Sequence, residues 1–189
     1  YKLTAAQFGA NDYGNSYVEV DLDAQHVYLY KNGALVAETD CVSGKPINGN
    51  ATPDGTYFLN YKEKDATLKG EDYSTPVSFW MPFNGNIGMH DAYWRKEFGG
   101  KLYLARGSHG CINLPPAQAK LFFANLEKGE AVIVYGGMNQ SQAQAYLAEE
   151  KKKQEEEQKK QEEEQKKQQE EAAAAAAAAQ IKAQPSVQN

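Results

Sequence analysis

The chain has 189 residues and a formal net charge of −5, with no basic cluster interrupting it, which argues against a general nucleic-acid binder. It contains no run of eighteen or more apolar residues, so no segment reads as a membrane-spanning helix. Bulky apolar residues become sparse beyond Gly137, so one core-forming domain is expected over residues 17–137. Residues 1–16 read as an N-terminal linker to a segment upstream, and residues 138–189 as a tail of different composition.

Tyr17-Val18-Glu19-Val20-Asp21-Leu22 alternates apolar and polar, the period of a half-buried strand, and His26 to Tyr30 repeats the pattern. Asn32-Gly33 then predicts a type I′ hairpin, because both central positions of that turn need positive φ. The returning strand is expected over Ala34 to Val42. His26 and Cys41 read as a cross-strand histidine and a small apolar strand residue. Ser43 to Gly55 is irregular and ends in Thr52-Pro53-Asp54-Gly55-Thr56, a tight turn. A strand is predicted over Thr56 to Tyr61. Lys62 to Pro76 reads as a polar surface loop or flap.

Val77 to Phe83 is an apolar and aromatic strand closed by the Asn84-Gly85-Asn86 turn. Ile87 to His90 is a short strand whose end delivers His90 to a cleft. Pro115 to Leu126 carries apolar residues at helical spacing and a proline suited to a first turn. Ala131 to Tyr135 is a buried final strand. The sum is a mostly-β, sandwich- or barrel-like domain with one or two short helices, followed by a long charged helical tail. The tail repeats Lys-Lys-Gln-Glu-Glu-Glu-Gln from Lys152 and then runs through Ala172 to Ala179. Glu155–Lys159, Glu156–Lys160, Glu162–Lys166 and Glu163–Lys167 are spaced to pair along a solvated helix. Its heptads lack apolar positions, so no coiled coil is expected, a monomer is, and no partner is assigned to the tail.

Chemistry concentrates in Gly107-Ser108-His109-Gly110-Cys111-Ile112-Asn113-Leu114, with His90 upstream. Of three histidines and two cysteines in the chain, two and one fall between positions 90 and 111. A free thiol is only a few per cent thiolate at neutral pH, and a neighbouring imidazole raises its nucleophilicity by taking the proton. Cys111 would attack a carbonyl carbon, with His90 or His109 as base; the residues themselves do not choose between them. Gly110 lets the backbone approach, so amides from His109 to Cys111 suit an oxyanion hole. Ser108 and Asn113 suit orienting an imidazole or holding the loop. Metal binding by His90, His109 and Cys111 is disfavoured, because the spacing matches no zinc motif and a fourth ligand is missing; neither metal nor cofactor is expected.

Ser108-His109-Gly110-Cys111-Ile112-Asn113, preceded by His90 with seventeen residues between His90 and Ser108, resembles the signature of the L,D-transpeptidases, the YkuD-type catalytic domain. Thr52-Pro53-Asp54-Gly55 resembles that family's T-P-x-G segment, and Ile87-Gly88-Met89-His90-Asp91-Ala92 its I-G-x-H-x-A. The resemblance runs from about Tyr17 to Tyr135. It implies a bacterial cell-wall enzyme, acting outside the cytoplasm, whose partners are peptidoglycan stem peptides. It implies that Cys111 is the nucleophile and His90 the general base, with Ser108, His109, Gly110 and Asn113 completing the site. The implied reaction attacks the bond between an L-centre and D-Ala in a tetrapeptide donor and transfers the acyl group to a side-chain amine, forming a 3→3 cross-link. The alternatives are an L,D-carboxypeptidase or endopeptidase using water, and a non-catalytic wall-binding module. Trp94 is expected to line the donor groove, with Phe79 and Trp80 as further candidates.

Overall fold

A computed structural model describes residues 13–70 and 73–182; most of the linker expected over residues 1–16 lies outside the described residues. Among the described residues, nine strands form two mixed sheets. The first contains β1 (Tyr17–Asp21), β2 (His26–Lys31), β3 (Ala34–Asp40), β4 (Gly55–Phe58) and β9 (Ala131–Tyr135), in the order β3-β2-β1-β9-β4. The second contains β5 (Glu63–Lys69), β6 (Ser74–Asn84), β7 (Ile87–Asp91) and β8 (Ile112–Leu114), in the order β5-β6-β7-β8. Helix α1 (Leu102–Arg106) precedes β8 and α2 (Pro116–Asn125) follows it. This is the expected mostly-β architecture.

Strand alternation and helical spacing build one core. Val18, Val20, Val27 and Leu29 from the first sheet meet Met81, Met89, Ile112 and Leu114 from the second, with Ala119, Phe122 and Leu126 of α2 against them. All eleven are completely buried. Asn32 and Gly33 adopt φ of 51° and 79°, as the type I′ turn requires. His26 is the cross-strand residue expected, its Nδ1 2.7 Å from Asp40 Oδ1.

Four details differ from expectation. Within the segment read as a loop over Lys62 to Pro76, Glu63–Lys69 forms β5 and Ser74 to Pro76 begin β6, the two strands pairing antiparallel. Only Ala66 and Leu68 alternate inward on β5, an edge strand with a solvated face, so its apolar signal is short. The strand predicted over Thr56 to Tyr61 ends at Phe58, where Leu59 exchanges backbone bonds with Gly129 and Glu130. The strand predicted to Val42 ends at Asp40, and Val42 forms an isolated bridge to Asn113 instead. Finally, β1 is buried on both faces rather than one. Glu19 and Asp21 are only 1% and 7% exposed, and Asp21 Oδ1 accepts the amides of Asp23 and Ala24 to close the turn into β2.

The chain divides into two compact units, residues 1–144 and 145–189. The second consists of most of helix α3 (Gln140–Lys182), whose described side chains are almost all exposed. Among the described residues its ion pairs are Glu149–Lys153, Glu150–Lys153, Lys151–Glu155 and Lys166–Glu170, not the four expected. On a helix of alternating Lys and Glu blocks each charge has partners one turn up and one turn down, so the spacing does not select one pairing.

Candidate active site

The parallel pair β7 and β8 sets Met89 beside Ile112 and His90 beside Asn113. Successive strand residues face opposite ways. Met89 and Ile112 therefore enter the core, while His90, Asn113 and Cys111, two residues before Asn113, share the other face. Strand spacing puts the α-carbons of Cys111 and His90 roughly 8 Å apart on that face. Trp80, opposite His90 on β6, completes the row, with ring centroids 6.0 Å apart. Cys111 packs on the small cluster of Ala66, Val77 and Trp80.

His90, Ser108, His109, Cys111, Asn113 and Trp94 line one cavity of about 240 Å³, together with Leu68, Tyr73, Thr75, Arg95 and Gly107. The structure thus brings His90, Ser108, His109, Cys111, Asn113 and Trp94 to one cavity. Trp94 is 44% exposed at the rim, its ring 6.0 Å from that of His90. Phe79 and Trp80 do not line the cavity. Phe79 packs on Phe123 against the core, and Trp80 is buried behind the imidazole.

The two histidines differ. His90 is 4% exposed. Its Nδ1 lies 2.8 Å from the Asp91 carbonyl, which accepts a hydrogen bond from an Nδ1–H. Burial pushes its pKa below the ordinary imidazole value, the Asp91 carbonyl and carboxylate oppose that shift, and Arg95 adds to it. His109 is exposed and stacks on Tyr73 at 5.1 Å and 14°. Burial raises the Cys111 thiol, partly offset by a backbone contact at Gly88. Both shifts favour the neutral forms, thiol and imidazole, over a thiolate and imidazolium.

The turn carrying Cys111 is held on three sides. Ser108 Oγ donates to the Cys111 carbonyl (2.5 Å) and accepts from the Gly110 amide (3.0 Å). The Gly110 N–H, one of the amides considered for an oxyanion, is thus engaged inside the turn. Ser108 exchanges backbone bonds with Ser43 and Lys45, and Asn113 with Val42. Thr52 Oγ1 accepts from the Gly44 amide (2.9 Å) and donates to the Gly110 carbonyl (2.8 Å). Gly110 has φ +121°, a conformation that side-chain-bearing residues rarely adopt.

Sequence reasoning left three contributors unassigned. Thr52 was read as part of a turn and of the T-P-x-G resemblance, with no role at the site. Tyr73 fell in the supposed loop. Arg95 bears no motif; its Nε and Nη2 lie 2.7 and 3.2 Å from the Asn113 amide oxygen when that amide is oriented to satisfy both its groups. The adjacency of Tyr93, Trp94 and Arg95 to His90 in sequence was the available signal for Arg95.

The family model described as YkuD, L,D-transpeptidase catalytic domain, matches residues 15–134. Comparison with curated proteins gives no match. Among solved structures, the chain is similar to the crystal structure of a cysteine-to-serine mutant of Enterococcus faecium L,D-transpeptidase. The identity is 47% and the TM-score 0.62, over 65% of this chain and 50% of that one. It is similar to the NMR structure of the E. faecium catalytic domain at 46% identity and TM-score 0.59, over 67% of this chain and 100% of that one. The same domain acylated by ertapenem matches at 48% and TM-score 0.58, over 64% and 97%. This chain spans half the length of the crystallised E. faecium protein. With its sheets, its cavity and this match over residues 15–134, the chain belongs to the YkuD family of L,D-transpeptidase catalytic domains.

Proposed function

We propose that this domain is a peptidoglycan L,D-transpeptidase that uses Cys111 as nucleophile and His90 as general base. The observation that carries the reading is the shared sheet face and cavity of Cys111, His90 and Asn113, in a domain 46% identical to the E. faecium catalytic domain. In the donor complex the Cys111 sulfur bonds to the carbonyl carbon of the L-centre and its proton passes to His90 Nε2. The carbon–nitrogen bond to D-Ala then breaks, and the imidazolium returns the proton to the leaving amine. A side-chain amine of a second stem attacks the thioester, giving a 3→3 cross-link and restoring the thiol.

His90 serves as base because it is buried, held by Asp91 and set on the same face as the sulfur, whereas His109 is an exposed rim residue stacked on Tyr73. Since Ser108 engages the Gly110 amide, the oxyanion is assigned to the amides of His109 and Cys111. Trp94 and Tyr73 border the donor stem. The substrate lies in the cell wall, so the domain acts outside the cytoplasm. The acylation by ertapenem reported for the E. faecium domain supports the same thiol chemistry here.

The test is incubation with a disaccharide-tetrapeptide and separation of products by mass. Cross-linked dimer with release of D-Ala is expected, and Cys111→Ala abolishes both. Tripeptide without dimer makes the domain an L,D-carboxypeptidase, and no turnover with no carbapenem adduct makes it a binding module.

A further inference from the structure

Arg95 approaches the Asn113 amide from the side opposite His90. A guanidinium has donors only, so the amide oxygen must face Arg95, and the NH₂ group must then face His90 Nε2, 3.1 Å away. An NH₂ group donates, so Nε2 must offer its lone pair. The ring proton accordingly sits on Nδ1, where the Asp91 carbonyl accepts it at 2.8 Å. One neutral tautomer satisfies the whole chain from guanidinium to carbonyl, and no other does.

We propose that Arg95 is a positioning residue of the acyl-transfer site. By holding Asn113 in one orientation it fixes the tautomer of His90 and keeps Nε2 unprotonated until the Cys111 thiol delivers its proton. The proposal rests on the reading of His90 as base to Cys111. It adds a device that the motif residues lack. Asn113 is a reversible amide, and if free it would rotate to accept a proton from Nε2–H as readily as it donates to the lone pair. Arg95 removes that choice. Once Nε2 takes the thiol proton, its N–H opposes the Asn113 NH₂ group, so the imidazolium turns from Asn113 toward the leaving amine. The arrangement thus favours returning the proton to substrate over storing it.

The surroundings of the ring support this assignment. Its titratable and charged neighbours are Asp91 on its own strand, Arg95 on the turn beyond, and Cys111, His109 and Tyr73 around the cavity. The Asp91 carboxylate is turned to the Phe79 amide, with Oδ1 accepting at 2.8 Å. Trp80 and Trp94 flank the ring without charge. Arg106 stands beyond Arg95 and, after burial, is the second cause of its lowered pKa. No carboxylate in this set is aimed at Nε2, so the Asn113 amide governs that nitrogen.

The experiment is nitrogen-detected NMR titration of His90 in the intact chain, paired with the pH profile of D-Ala release. In the wild type, ring-nitrogen shifts should report a protonated Nδ1 and a bare Nε2. In Arg95→Met the amide is released, and the His90 midpoint and the acidic limb of the rate profile should both move up by about one pH unit. That is a tenfold change in proton affinity, to which the reversed hydrogen bond and the lost Arg95 charge both contribute, so the ring-nitrogen shifts carry the tautomer assignment. Arg95→Lys, which keeps a donor, should recover part of the shift. A wild-type His90 protonated on Nε2, or an Arg95→Met titration identical to wild type, overturns the proposal. If Arg95→Met does not fold, the wild-type tautomer and the Arg95→Lys titration decide. A titration that moves while the rate profile stays fixed removes His90 as the base and with it the proposal. Absence of transfer together with the predicted tautomer would instead count against the transpeptidase reading alone.

Discussion

The Thr52 hydroxyl donates to the Gly110 carbonyl at 2.8 Å, joining residues 58 positions apart across the back of the turn that carries Cys111. The same oxygen accepts from the Gly44 amide, and the side of Gly44 facing this joint has no room for a methyl group, which would stand 2.0 Å from the Asn50 carbonyl and 2.8 Å from the Gly110 α-carbon. One hydroxyl therefore fixes the segment before the turn and the turn itself. Thr52→Val keeps the shape but leaves a buried amide and a buried carbonyl without this partner. The expected cost is about 1–3 kcal/mol of stability, and about tenfold in transfer rate through loss of loop geometry. Denaturant midpoints and D-Ala release measure the two separately, and a variant that loses stability but no rate would show that the turn holds itself.

Tyr73 stacks on His109 across the mouth of the cavity, so the β5–β6 hairpin contributes a wall rather than a detached loop. Removing the ring should loosen the binding of the donor stem without altering the thiol. For Tyr73→Ala the expected result is a severalfold rise in KM for the disaccharide-tetrapeptide with kcat within about twofold of wild type, the pattern of lost ground-state contact. A fall in kcat at constant KM would instead assign Tyr73 to the chemistry.

The contrast between Tyr73 and Cys111 shows what the sequence made legible. Cys111, His90, Ser108 and Asn113 carry reactive groups at a spacing that few chains share, and periodicity located β7 and α2 around them. The Asn32-Gly33 turn was legible because positive φ selects those residue types. Tyr73 was hidden because β5 exposes one face, and Lys, Glu and Asp there mask an edge strand as a loop. Helix α1 is too short for a periodic signal; Tyr103 and Leu104 are its only buried residues. Glu19 and Asp21 are buried on the second face of β1, which alternation reads as solvated. Arg95 and Thr52 act through side-chain hydrogen bonds to residues distant in sequence. Such bonds leave no local pattern, and only the folded chain reveals them.

Helix α3 offers a test of the tail. Asn139 and Gln142 cap its start reciprocally, with Oδ1 and Oε1 accepting each other's amides at 3.0 and 2.9 Å, and Ala143 is fully buried. Beyond residue 148 the described side chains are almost all exposed and bury no core. A chain ending at Ala148 should keep its Tm within about 2 °C, as expected for loss of exposed residues only, while its far-ultraviolet helical signal falls. A larger drop in Tm would show that the tail contributes to the stability of the domain. Sedimentation of the full chain as a monomer would support a solvated single helix, and a dimer that disappears on truncation would overturn it.

Stability should respond to pH through two buried groups in opposite senses. His90 is held neutral with a lowered pKa, chiefly by burial. Between that lowered value and about 6.5 the unfolded chain binds a proton that the folded chain does not, so stability falls as pH drops through this window. Cys41 is a free thiol, completely buried, and burial followed by the Asp40 and Asp21 charges raises its pKa far above the ordinary thiol value. Above about 8.5 the unfolded chain releases a proton that the folded chain retains, so stability falls again as pH rises. The raised Cys111 thiol acts in the same direction. Urea midpoints should therefore form a plateau between about pH 6.5 and 8.5. Cys41→Ala should flatten the alkaline slope while lowering the plateau, because a buried sulfur is replaced by a smaller group. An alkaline slope unchanged in Cys41→Ala would assign that limb to Cys111 instead, with the raised tyrosines Tyr30 and Tyr135 adding to it only above about pH 10.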